Sequence, residues 1–213
     1  MTFFEDLQQA IIDGKAPVAK ELTERGLKEG IKPQEFFPKV IIPAMDEVGR
    51  RMGDCEFYIP EVMIAARSAR AAIDILRPLL LREESVKPLG TVVLGTVKGD
   101  LHDIGKNLVG MMLEGAGFRI VDLGFDVPTE KFVKAAKEHH ADIVALSALL
   151  TTTMLGMKAV IEALRAASLR DKVKILVGGA PVTDAWANSV GADGYGKDAP
   201  AAVEIARSLV HVA

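Results

Sequence analysis

Cysteine is almost missing from these 213 residues: Cys55 stands alone. A single cysteine excludes an internal disulfide and fits a reducing cytoplasm. The four histidines show no metal-type clustering with it. An excess of one charge is missing too. Lys and Arg number 26 against 29 Asp and Glu, and the resulting net charge of -3 carries no signature of nucleic-acid binding. No uninterrupted apolar run approaches the ~18 residues that a membrane span needs. The start, MTFFEDLQQAIIDG, lacks the basic region and apolar core of a signal peptide. There is no internal repeat and no low-complexity tract. What remains is a globular composition, 49% hydrophobic and 26% charged, in a chain long enough for one large domain or two small ones. The expectation is a soluble cytoplasmic protein with neither nucleic-acid nor membrane partners.

The hydrophobic period changes once along the chain. Over the first eighty or so residues it is helical. Phe3, Phe4, Leu7, Ala10 and Ile11 form a stripe, Gly14 ends that helix, and Pro17 suits the first turn of a second helix running to about Gly30. Pro33 opens a third, in which Pro38 and Pro43 predict a late start or a kink. A fourth starts near Ile59-Pro60, and the set predicts a small four-helix bundle. After Pro88, short apolar runs alternate with helical stretches. The predicted strands are 91–97, 118–123, 142–148, 173–179 and a short 192–196. Their continuous apolar character predicts a parallel sheet covered on both faces, in a doubly wound, flavodoxin-like domain with its ligand crevice beyond the carboxyl ends of the strands. The expected division is a helical cap over 1–84 and an α/β domain over 85–213, with LREESVKPLG (81–90) as a linker on which the cap moves.

The most informative stretch is TVVLGTVKGDLHDIGKNLVG, Thr91 to Gly110, which sets Asp100, His102 and Asp103 just past the first predicted strand. Gly-Asp is also ordinary turn chemistry. The loop fails the GxGxxG spacing of a dinucleotide fingerprint. LHDIGK looks like the metal-binding core of HD-type phosphohydrolases, but there the His-Asp pair sits on a helix of an all-helical domain, and His139, His140 and His211 stand at predicted helix ends rather than as further ligands. A third reading uses Asp100-x-His102-x-x-Gly105. Two residues apart in an extended loop, the carboxylate and imidazole share one side. The carboxylate can accept a hydrogen bond from one ring N–H and so leave the other nitrogen oriented as a metal ligand. Only one histidine is offered, so the metal must bring its other ligands, as a metal in a macrocycle does. Gly105 admits a bulky group close to the backbone. Two more strand ends agree: Ser147-Ala148-Leu149 and Gly178-Gly179.

DxHxxG, then SxL, then GG resembles the signature of the cobalamin-binding domain found in methionine synthase, cobalamin-dependent mutases and the small corrinoid proteins of methyltransferase systems. The resemblance implies cobalamin or a related corrinoid bound base-off. His102 would be the lower axial ligand of cobalt, and Asp100 would be its hydrogen-bond partner. Ser147 would sit on the relay, and Gly105, Gly178 and Gly179 would line the channel for the nucleotide tail. Asp103, Leu149 and Thr151 fall among the implied cofactor contacts. Phe57-Tyr58-Ile59-Pro60-Glu61-Val62-Met63 matches the start of the fourth helix of the methyltransferase-branch cap, with Tyr58 and then Met63 as candidates for the upper corrin face. GADGYGKDA (191–199) and the total length also look like the small corrinoid proteins. The implied function is a methyl-carrier subunit, not catalytic alone. It would accept a methyl group on cobalt from a substrate:corrinoid methyltransferase and pass it to a methylcorrinoid:acceptor methyltransferase, with a reductive activator as a further partner. A corrinoid sensor or store without methyl traffic is the alternative, and a phosphohydrolase built on His102-Asp103 is a third.

Overall fold

The computed structural model describes residues 2–80 and 88–210. The chain divides into two compact units, the second beginning at Pro88. The first seven residues of the expected linker, and His211, lie outside the described residues.

The first unit is helical. Helix α1 (Phe3–Ile12) opens with a capping box: Thr2 Oγ1 accepts from the Glu5 amide, and the Glu5 carboxylate accepts from the Thr2 amide at 2.7 Å. Helix α2 (Ala16–Lys28) carries Pro17 in its first turn, where the missing N–H costs nothing. The prolines of the third helical run neither delay nor break it. Helix α3 (Pro33–Phe36), a π-helical segment (Phe37–Ile41) and α4 (Ile42–Gly53) follow one another without a gap. The Ile42 amide reaches back to the Phe37 carbonyl, a π-type bond. Pro43 has no N–H to give the Lys39 carbonyl, and Gln8 of α1 supplies the donor instead, Nε2 to oxygen at 2.6 Å. Helix α5 (Ile59–Leu80) packs most heavily on α2. Leu7, Ile11, Phe36, Met45, Val62 and Leu76 make this unit's core.

The second unit is a five-stranded parallel sheet in the order β2-β1-β3-β4-β5, from strands β1 (Thr91–Thr96), β2 (Arg119–Asp122), β3 (Ile143–Ser147), β4 (Lys174–Gly178) and β5 (Gly194–Gly196). Helices α6 (Ile104–Gly115), α7 (Thr129–Glu138), α8 (Leu155–Ala166), α9 (Asp184–Val190) and α10 (Ala199–Val210) alternate with them. This is the doubly wound order with its topological switch between β1 and β3. Register aligns Thr96, Ser147, Gly178 and Gly196 in one row across the carboxyl ends. Strand β2 departs from the buried-strand expectation. It is the sheet edge, so Arg119 and Asp122 face solvent while Ile120 and Val121 are half-buried.

Gly95 of β1 lets the Phe132 ring of α7 seat directly on the strand, since a Cβ there would stand 2.8 Å from the ring. Phe132 is fully buried. Phe132→Ala should therefore cost about 3–5 kcal/mol of stability as a cavity. Gly95→Ala should cost about 1–3 kcal/mol as overpacking. Urea unfolding of both variants checks the pair.

Candidate functional site

The loop Val97–Asp103 leaves β1 at the switch point, and its centre is Asp100, fully buried. The Asp100 amide donates to the Val97 carbonyl, and the Asp100 carbonyl accepts from the Asp126 amide. Each carboxylate oxygen takes two donors. Oδ1 accepts from the His102 amide at 3.0 Å and faces His102 Nδ1 at 2.7 Å. Oδ2 accepts from the Leu149 amide at 2.7 Å and from Thr153 Oγ1 at 2.6 Å. One buried carboxylate thus clasps the loop after β1 to the loop after β3. Burial alone would push this carboxyl up. The hydrogen bonds from Thr153, the Leu149 and His102 amides and the His102 ring outweigh it and hold the group well below the usual carboxylate range.

His102 is fixed from one further direction and open in another. Its carbonyl accepts from the buried Thr96 hydroxyl at 2.9 Å. Its Nδ1 faces an acceptor-only carboxylate and so carries the ring proton. In the neutral ring the lone pair then lies on Nε2, which has no protein partner among the described residues. The side chain is 52% exposed. Around it the sheet end presents Leu101, Ile104, Leu149, Leu150 and Leu155, all exposed and apolar. Exposed apolar side chains on the loops beside a single oriented nitrogen fit a flat, largely apolar ligand that carries its own metal. Among the described residues no group of three or more His, Cys, Asp or Glu side chains is placed to hold a bare metal ion.

The remaining predicted residues fall as follows. Asp103 accepts from Asn107 Nδ2 at 3.0 Å just ahead of α6. Ser147 ends β3, but its hydroxyl makes no hydrogen bond among the described residues; the hydroxyl facing Asp100 is that of Thr153. Leu149 contributes its amide to Asp100 and its side chain to the exposed apolar set. Thr151 is exposed. A Cβ on Gly178 would meet the Gly196 carbonyl at 3.0 Å, and one on Gly179, whose φ is +128°, would lie 1.8 Å from the Ala148 carbonyl. The protein's own backbone demands the second glycine and leaves the first little room. Gly105 is different: nothing stands within 4 Å of its missing Cβ. A glycine early in a helix that no protein atom requires fits a close approach from outside. In the helical unit Tyr58 is 66% and Met63 38% exposed, whereas Val62 is core.

Sequence reasoning missed Thr96, Thr153 and Asp126. The last accepts from the Gly99 amide at 2.8 Å. Its signal was a positive φ of 50°, visible only in the fold. Thr153 carried a weak signal as one of three successive threonines.

The folded Asp100 carboxyl titrates below its unfolded value of about 3.9. Its contribution to stability is therefore complete above about pH 5 and is lost as pH falls below about 4. Asp100→Asn should be less stable than the natural chain at pH 7 and should lose less on acidification. Urea unfolding at a series of pH values measures both slopes.

The geometry agrees with what the chain is similar to. Residues 90–204 match the family described as the B12 binding domain, and residues 3–77 match a second family of the same description. The dimethylamine corrinoid protein of Methanosarcina barkeri is 44% identical over 206 residues, 97% of this chain and 96% of that one. A corrinoid protein of Desulfitobacterium hafniense is 39% identical over 99% of this chain and 98% of its own. The solved methanol:cobalamin methyltransferase complex of M. barkeri superposes with a TM-score of 0.87 at 28% identity, covering 99% of this chain and 80% of that one. A cobalamin-binding protein from D. hafniense gives 0.78 at 34% identity, covering 95% and 96%. With its oriented histidine, its exposed apolar side chains and full-length matches of this kind, the chain belongs to the B12-binding family and is a corrinoid-binding protein.

Proposed function

We propose that this chain is the methyl-carrying corrinoid subunit of a methyltransferase system, taking a methyl group from a substrate-specific methyltransferase and delivering it to a second one. The bound corrinoid supplies a cobalt centre able to carry that methyl group. The observation that carries the reading is the His102 ring, with Nδ1 on Asp100 and Nε2 open at the switch point of the sheet. His102 then serves as the lower axial ligand of a corrinoid bound base-off.

The chain's own residues divide the work. Asp100 fixes the tautomer and ring orientation of His102. Leu149 and Thr153 keep Asp100 ionised and in place, and Thr96 holds the His102 backbone. Leu101, Ile104, Leu150 and Leu155 exclude water around the open nitrogen. Gly105 leaves clearance at the start of α6. The relatives named for dimethylamine and trimethylamine, each more than 40% identical, make methylamines the first donors to try. A reductive activator belongs to the same proposal.

Mixing the apoprotein with hydroxocobalamin and removing free cofactor by gel filtration should leave a red protein with near-stoichiometric cobalamin. His102→Ala should change its visible spectrum, and the reduced natural holoprotein should accept a methyl group when given a methylated amine and its methyltransferase. A colourless natural protein would sink the proposal. Gly105→Ala gives a separate check: the apoprotein should gain about 0.5–1 kcal/mol of helix stability, while cobalamin loading weakens.

A further inference from the structure

Lys106 is an anomaly in this fold. Its side chain is 2% exposed, in the first turn of α6. Burying an ammonium is costly, and a cation at a helix N-terminus opposes the helix dipole. An apolar residue of similar length would pack there at no such cost. The charge is matched by three acceptors: Asp122 Oδ1 at 2.7 Å, Asp122 Oδ2 at 2.6 Å and Asn107 Oδ1 at 2.7 Å. Those three exhaust the ammonium's donors.

Both partners lead to His102. With its Oδ1 on Lys106, the Asn107 amide must turn Nδ2 outward, and that nitrogen donates to Asp103 Oδ2 at 3.0 Å. The Asn107 backbone amide also donates to the Asp103 carbonyl, at 2.7 Å. Asp103 is the residue after His102. On the other side, Asp122 Oδ1 accepts from the Gly124 amide at 2.8 Å. The Gly124 carbonyl accepts from the Thr96 amide at 3.0 Å, and the Thr96 hydroxyl donates to the His102 carbonyl at 2.9 Å. The ammonium closes a ring of hydrogen bonds that starts and ends at the His102 loop.

We infer that Lys106 is a positioning residue for His102, acting through Asn107 and Asp103 on one side and Asp122, Gly124 and Thr96 on the other. The inference rests on the reading of His102 as the corrinoid ligand for its functional meaning, and on the apoprotein alone for its geometry. Among the described residues Lys106 makes no hydrogen bond to the open ring nitrogen. It sets how rigidly the loop presents that nitrogen. Asp122 is 44% exposed, so solvent takes over its charge when the ammonium is removed, and the sheet survives the change.

The test uses the full chain as Lys106→Met, Asn107→Ala and His102→Ala, beside the natural protein. Asn107→Ala leaves the Lys106–Asp122 pair and the Asn107 backbone bond in place and removes only the side-chain bridge from Lys106 to Asp103, so it stands in should Lys106→Met fail to fold. In the apoproteins, hydrogen exchange at the His102 amide, bonded to Asp100, should accelerate about tenfold in Lys106→Met and Asn107→Ala. Exchange at Val92, Val93 and Leu94 should not move. After loading with hydroxocobalamin, both variants should show a visible spectrum displaced toward that of His102→Ala. Natural exchange at the His102 amide in Asn107→Ala, with a natural spectrum, would overturn the inference. A natural spectrum in His102→Ala would overturn the ligand reading instead, and the apoprotein exchange would still decide the positioning role.

Discussion

The structure turns on one buried carboxylate. Asp100 sits where two crossovers diverge, and it is the atom pair through which the loops after β1 and β3 are joined. Two donors on each oxygen saturate it. A buried carboxylate with an open lone pair would cost several kcal/mol or take up a proton. Four donors remove both outcomes, and two of the four, the Leu149 amide and the Thr153 hydroxyl, come from residues whose placement depends on the sheet being correctly wound. The orientation of His102 is therefore a readout of topology: strand order 2-1-3 places the donors of the third strand's loop within reach of the first strand's loop.

The glycines around the site fall into two physical kinds. Gly179 lies where a neighbouring carbonyl leaves no room for any side chain and Gly178 where one comes into tight contact, so both serve the backbone whether or not a ligand is present. Gly105 has open space above it and no positive φ to justify it. Motif spacing cannot separate these cases, because both appear as a glycine near a strand end. Packing separates them at once.

Much of the architecture was legible in the residues. Continuous apolar runs of five or six residues between helical stretches can settle only into a covered parallel sheet, and the strands fall within a residue or two of where the pattern ends. Asp100 and His102 were legible because their contact is local, two residues apart. Contacts closed over distance were not. Thr153 meets Asp100 across 53 positions, whereas Ser147 stands at the more obvious strand end. The pairing of Lys106 with Asp122 spans 16 positions and a strand. The π-helical segment was not legible because Pro38 and Pro43 announce a missing donor, while the substitute donor, Gln8, lies 31 positions away.

The edge of the sheet carries a consequence of its own. An outermost parallel strand offers a row of unpaired amides and carbonyls to any passing chain. Here one edge, β2, is only four residues long, and Arg119 and Asp122 stand charged at its two ends. Asp122 is also ion-paired with the Lys106 ammonium. The opposite edge, β5, is three residues, Gly194–Gly196, with α10 packed heavily against it. A strand from a second molecule therefore finds on either side a template too short and too charged, or too covered, to extend. The same aspartate that steadies the ligand loop guards this domain against growing, edge to edge, into an aggregate.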